Sequence, residues 1–244
     1  MIPISIEEIK SSLGERQTTP AELFDDDDGR IAAKTGISSL NRSSKTALQL
    51  GIEAVRKLEI LEEIREKISF VVYVTQSATY YLPNHASRIQ EAASISKEAM
   101  CFDINQGCSG FVQALYVMNS LLSDSEDLGL IVCSDTYSQH LSSDDRATQV
   151  LFSDGATATV VSAKRDWEII SAKHLTDGSG ADLLAKIAWL EQFKFLPFTG
   201  AALIGAGILL VICIGACTSR RTRACETSSG ERTRLRCTAG TSRH

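Results

Sequence analysis

The most direct chemistry in this 244-residue chain is a thiol flanked by small residues. Cys108 stands in Gln106-Gly107-Cys108-Ser109-Gly110, between the apolar run AMCFDIN (residues 99–105) and an apolar-faced segment that begins at Ser109. Residues this small let the chain turn sharply and leave the thiol exposed. With a helix after the turn, unpaired N–H groups and the positive end of its dipole stabilise a thiolate and raise the reactive fraction at neutral pH. A nucleophile is one reading of Cys108; the other is a small buried hydrophobe, the role expected of Cys101 and Cys133. No metal site or cofactor is expected: the sequence has no CxxC, and His85, His140, His174 and His244 stand far apart. The run Asp25 to Asp28 reads as a solvated loop, because four adjacent carboxylates cannot all face one ion.

The elements that would position the thiol read as alternating helices and strands. Ala47, Leu50, Gly51, Ala54, Val55 and Leu58 recur at three- and four-residue spacing, which predicts one amphipathic helix over residues 46–67. SFVVYV (residues 69–74) is a β-branched and aromatic run that predicts a buried strand. After a loop with Pro83, Asn84 can cap a helix reaching about Lys97, and residues 99–105 form the next strand. Residues 109–123 predict a helix whose apolar face is Phe111, Ala114, Leu115, Met118 and Leu122, followed by the strand LGLIVCS (residues 128–134). TQVLFSDGATATVVSA (residues 148–163) reads as a pair of strands about Asp154-Gly155. Alternation of this kind implies parallel crossovers in a layered α/β sheet.

Composition bounds the function. With 43% apolar residues the chain can bury a substantial core, and a formal net charge of −5 does not suggest nucleic-acid binding. The average hides a split: residues 1–190 carry 17 basic and 27 acidic side chains, residues 191–244 carry 8 and 3. Four of the seven cysteines, Cys213, Cys217, Cys225 and Cys237, fall in the second part, and an odd total argues against a complete disulfide framework. The start, MIPISIEEIKSSLGERQ, lacks a basic, apolar leader, so a reduced cytoplasmic location is expected for the first part.

Taken as an ordered set, FDINQGCSGFVQAL, GLIVCSDTYSQHLSSDDRATQVLFSDGATATVVSA and HLTDGSGADLL resemble 3-oxoacyl-(acyl-carrier-protein) synthase III, of the thiolase superfamily. KTGISSLNR and TQSATYYLP fall in matching order, and the likeness covers about residues 3–185. The resemblance implies the first half of a thiolase-fold pseudo-repeat and a homodimer. It also implies an enzyme of acyl-chain synthesis in which Cys108 takes an acyl group from acyl-CoA and passes it to malonyl-acyl-carrier protein. Leu82 matches the loop that in the family reaches into the partner subunit's acyl pocket. The chain departs from the family after GSGADLLAK: the His and Asn that meet the developing enolate have no match, and Arg30 stands near the place of the aromatic residue that stacks on CoA adenine. The expectation is a truncated enzyme impaired in condensation, with His85, His140 and His174 structural or solvated.

Past a linker at residues 186–200 a second pattern begins. Leu196-Pro197-Phe198-Thr199-Gly200, an uncharged run over residues 201–217, and Arg220, Arg221 and Arg223 resemble an LPxTG cell-wall sorting signal. Seventeen helical residues span about 26 Å, close to a bilayer core of about 30 Å, so a transmembrane helix is expected there. A buried core helix is the alternative. Residues 218–244 read as a disordered basic tail, or as the product of a frameshift or chimeric junction. A second function class therefore stays open, a noncatalytic membrane-tethered or cell-wall-displayed α/β domain.

Overall fold

The computed structural model describes residues 4–24, 29–122, 126–163, 173 and 175–179. Along the chain come β1 (Ser5–Leu13), β2 (Arg16–Thr18), α1 (Pro20–Phe24), α2 (Arg30–Thr35), β3 (Leu40–Arg42), α3 (Ala47–Arg56), α4 (Leu61–Ile64) and a 3-10 turn (Arg65–Lys67). Then follow β4 (Ile68–Val74), α5 (His85–Ala92), β5 (Met100–Ile104), α6 (Gly110–Leu121), β6 (Leu128–Asp135), a second 3-10 turn (Tyr137–His140), α7 (Arg146–Gln149) and β7 (Gly155–Ser162).

Five strands form one sheet in the order β1-β7-β6-β4-β5. β4 runs parallel to both β5 and β6, as alternating strands and helices require, whereas β7 lies antiparallel to β6 and to β1. The sheet is therefore mixed rather than wholly parallel. Alternate residues point to opposite faces. Val71, Tyr73, Leu130, Val132, Ala158 and Val160 pack beneath α3 and α5 with Leu50, Ala54 and Ile89. Val72, Val74, Ile131 and Val161 pack on the other face beneath α6 with Ala114, Met118 and Leu122. Burial on both faces is why β4 and β6 read as continuous apolar runs.

Several expected elements differ, each for a local reason. The helix expected over residues 46–67 starts with a capping box between Thr46 and Gln49 but stops at Arg56. Glu8 of β1 accepts the N–H groups of Glu59 (3.1 Å) and Ile60 (3.3 Å), which a continuous helix would have bonded to carbonyls one turn earlier. The helix capped by Asn84 ends at Ala92 rather than near Lys97, because Ser94 takes a left-handed conformation (φ 50°) and Gln90 Nε2 bonds the Ile95 carbonyl at 2.6 Å. The pair of strands expected over residues 148–163 is one strand, β7, preceded by the short α7, whose Thr148 N–H is capped by Asp145 at 3.0 Å. β1, unexpected from the sequence, pairs along β7 with an irregularity between Ile6 and Glu8.

Among the described residues no helix is long and apolar enough to cross a membrane. The expected span at 201–217, the Leu196 to Gly200 motif, the linker, the tail, Asp25 to Asp28, His174 and His244 lie outside the described residues.

Candidate active site

The three parallel strands end side by side, and their carboxyl ends are where open α/β sheets place ligands. β4 leads into Thr75-Gln76-Ser77, β5 into Gln106-Gly107-Cys108, and β6 closes on Asp135 before Thr136-Tyr137. Thr75 N–H donates to the Ile104 carbonyl (3.3 Å), so the β4 and β5 exits begin tied together.

Cys108 is exposed in the turn between β5 and α6. The turn is closed by Gly110 N–H donating to the Gly107 carbonyl (2.8 Å), with Ser109 Oγ on Gln106 Oε1 at 3.3 Å. Both glycines are required by close approach. A Cβ at Gly110 would overlap Val74 Cγ1 and stand 3.2 Å from Gln106 Cβ; one at Gly107 would lie 2.8 Å from Cδ and 3.1 Å from Nε2 of Gln76. Small residues here thus serve to press the start of α6 onto β4 as well as to turn the chain. Cys101 and Cys133, expected to be buried, are partly exposed by surface area. Burial pushes the Cys133 thiol up to about 12, with Asp135 adding to the shift, and burial then Asp103 push the Cys101 thiol up.

Around the turn stand groups that sequence reasoning did not single out. Asp135 Oδ1 accepts from Gln76 N–H (2.8 Å) and Thr75 Oγ1 (3.1 Å); burial raises its carboxyl above the ordinary range despite these bonds. Tyr137 stacks on Phe152 with centroids 4.7 Å apart and donates its hydroxyl to Gln76 Oε1. Its phenol is driven upward by burial, then by Asp135 and by Cys108. Asp154, 1% exposed, accepts from Ser43 N–H (2.8 Å), Ser138 N–H (3.0 Å) and the Ser138 hydroxyl, fixing the segment that carries Tyr137. For Gln76, Asp135 and Tyr137 the prior signal was membership of the TQSATYYLP and SDTYSQH stretches, and Asp154 was read only as the point between two expected strands.

His85, expected to be structural or solvated, is 2% exposed and fully engaged. Its Nε2 faces the N–H groups of Thr79 (3.1 Å) and Tyr80 (3.4 Å), so Nε2 accepts and Nδ1 carries the hydrogen toward Asp103 Oδ2 (2.8 Å). Asp103 also accepts from the N–H groups of His85 and Ala86; burial raises its carboxyl, but these bonds prevail and hold it below the ordinary range. The clamp fixes the base of a loop whose tip is bare: Tyr81 is 81% and Leu82 87% exposed. His140 lies in the 3-10 turn after β6, and Arg30 opens α2. Arg146 lies over the Phe24 ring, 5.2 Å from its centroid. Among the described residues no group of three or more His, Cys, Asp or Glu is placed to hold a metal ion.

The model of the 3-oxoacyl-[acyl-carrier-protein (ACP)] synthase III family matches residues 102–178. The beta-ketoacyl-[acyl-carrier-protein] synthase III of Blochmanniella pennsylvanica (strain BPEN) is 35% identical over 158 residues, which are 63% of this chain and 50% of that protein. A 2.1 Å crystal structure of a 3-oxoacyl-(acyl-carrier-protein) synthase III matches with TM-score 0.65 and 32% identity, over 75% of this chain and 57% of that one. The synthase III of Pseudomonas aeruginosa PAO1 matches with TM-score 0.67 and 26% identity, over 78% and 62% respectively. The chain spans about half the length of the curated relatives it matches. Over that span it is related to the synthase III family in sequence and in its thiolase-like mixed α/β fold.

Proposed function

We propose that this chain carries out the acyl-transfer step of a ketoacyl synthase III, with Cys108 as nucleophile, acyl-CoA as donor and malonyl-acyl-carrier protein as the second substrate of the complete reaction. The observation that carries this reading is an exposed thiol held in a tight turn at the carboxyl end of a parallel strand, two residues before α6 begins. The Cys108 thiolate adds to the thioester carbonyl, forming a C–S bond. Collapse of the tetrahedral oxyanion expels the CoA thiolate, which takes up the proton the cysteine gave up. Thiol for thiol is an even exchange, so the step needs chiefly an ionised nucleophile and donors for the oxyanion.

Condensation asks for more. Negative charge developing on the malonyl thioester oxygen must be met by fixed donors, and losing one such donor typically costs about 2.7–4 kcal/mol. His85 cannot be that donor while its Nε2 accepts from the loop. The described residues therefore support acylation more fully than condensation, and we take Leu82, at the bare loop tip, as a group that meets the acyl chain across a homodimer. Acyl-enzyme formation from acetyl-CoA, followed by intact mass, and carbon dioxide release from malonyl-acyl-carrier protein test the two steps separately. Acylation lost in Cys108→Ala, with carbon dioxide release far slower than acylation, is expected. A wild-type chain that never acquires the acyl mass refutes the reading.

A further inference from the structure

One side chain lies against the Cys108 turn and a second holds that side chain, and acyl transfer employs neither. The Gln76 carboxamide lies against the bare Cα of Gly107, so close that a Cβ there would fall 2.8 Å from its Cδ and 3.1 Å from its Nε2. Gln76 is held at both ends: its own N–H donates to Asp135 Oδ1 (2.8 Å), and its Oε1 accepts from the Tyr137 hydroxyl. Tyr137 in turn is held by its stack on Phe152 (4.7 Å, interplanar angle 18°) and, through Ser138, by the buried Asp154. A glutamine side chain loses roughly 1.5–2 kcal/mol of rotamer freedom when fixed in one place. Here the fixed end rests on the peptide just before the nucleophile.

We propose that Gln76 and Tyr137 act as one unit that positions Cys108, the phenolic O–H holding the carboxamide on Gly107 so that the turn presents its thiol in a single direction. The role rests on the acyl-transfer reading. Without the hydroxyl, the carboxamide loses the donor that holds its Oε1, and the turn at residues 106–109 loses a fixed surface to sit on. The thiol stays exposed, so a small reagent that attacks from any side still finds it. An entering thioester, which needs one line of approach, does not. Misplacement of a reacting atom by about 1 Å can cost about a hundredfold in rate.

The test compares two reactions of Cys108 in the full chain: acylation by acetyl-CoA or octanoyl-CoA, and alkylation by iodoacetamide, each followed by peptide mass spectrometry. Tyr137→Phe keeps the ring on Phe152 and removes only the hydroxyl; Gln76→Leu removes the carboxamide and keeps the bulk. Each is expected to slow acylation by about tenfold or more, with alkylation changed by less than about threefold and the melting temperature nearly unchanged. The double variant is expected to acylate no more slowly than the slower single one, since an interaction can be removed only once. Unchanged acylation in Tyr137→Phe, effects that multiply in the double variant, or alkylation falling in step with acylation would each overturn the positioning role alone. A wild-type chain that is alkylated but never acylated would overturn the acyl-transfer reading, and this role with it.

Discussion

Gly110→Ala sets two effects of opposite sign against each other at the first residue of α6. Helix propensity alone favours alanine by up to about 1 kcal/mol. Sterics oppose it: the new Cβ would overlap Val74 Cγ1, 3% exposed at the end of β4, and stand 3.2 Å from Gln106 Cβ. Val74 is β-branched and stiff about χ1, so the side chain cannot swing clear without strain. Nor can the helix slide freely, because Met118 one end further on sits so tightly over Gly129 of β6 that a Cβ there would be 2.7 Å from its Sδ. Overpacking of this kind costs about 1–3 kcal/mol, leaving a net destabilisation of about 0–2 kcal/mol and a fall in melting temperature of up to about 8 °C. The larger effect is on the site: relief of the overlap moves the start of α6 off β4, and the Cys108 turn with it, so acylation is expected to fall by about a hundredfold. Val74→Ala makes room. In the double variant acylation should recover toward wild type, and the two stability changes should sum to more than the double variant shows, by about 0.5–3 kcal/mol. Acylation rates and thermal melts on the four proteins decide it. Wild-type acylation in Gly110→Ala, or strictly additive stability changes, would refute the close-packing account of this glycine.

Three further outcomes are expected. In alkylation at pH 8 followed by peptide mass spectrometry, Cys108 labels first, since it is exposed while burial raises the thiols of Cys101 and Cys133; a thiol near 12 is ionised to only about one part in ten thousand there, and equal labelling of the three would contradict the site geometry. Asp154→Ala leaves the N–H groups of Ser43 and Ser138 and the Ser138 hydroxyl without their acceptor in the interior, and denaturant melts should show a loss of about 3 kcal/mol or more. Glu15, bonded by the Ser43 hydroxyl and by the N–H and hydroxyl of Ser44, is lowered from 4.5 to about 2. A carboxyl depressed in the folded state stabilises it above its ordinary value and loses that contribution as pH falls toward 2, so the stability gap between wild type and Glu15→Gln should close over that interval and stay constant above about pH 5.

What could be read along the chain was whatever a local pattern encodes. β4, β5 and β6 were legible because apolar residues line them, and the start of α5 was legible because Asn84 caps it, its Oδ1 accepting from Ser87 N–H at 2.9 Å. β1 was not, since Glu7, Glu8 and Lys10 break its apolar pattern and its partner β7 lies some 150 residues away in sequence. The break between α3 and α4 was hidden for the same reason: Leu58 continues the helical spacing, and only Glu8, arriving from another strand, removes the N–H groups that would have extended the helix. Cys108 announced itself through its small neighbours. Gln76 and Tyr137 did not, because β4 and β6 must lie side by side before their exits can meet the turn after β5.

That dependence also bears on how the two proposed half-reactions divide. Among the described residues, the groups that seat the Cys108 turn, from Val74 and Gln76 through Gln106 to Tyr137 and Asp154, are supplied by the ends of strands in one sheet, so the place of the proposed nucleophile is set within a single layer of the fold. Donors for an enolate have a different requirement: they must face the thiol across the space a substrate occupies. His85 illustrates why a histidine nearby in the fold does not meet it. With Nδ1 committed to Asp103 and Nε2 accepting two backbone N–H groups, its ring has no hydrogen to offer without releasing the loop that ends in Tyr81 and Leu82. A donor taken from that clamp would cost the loop its anchor and take the acceptor from the part-buried bonds of the Thr79 and Tyr80 N–H groups, up to about 1–3 kcal/mol for each. The physical cost of using His85 thus rivals the roughly 2.7–4 kcal/mol that one fixed donor contributes in a transition state. The acyl transfer proposed for Cys108 asks nothing of that histidine and so meets no such conflict.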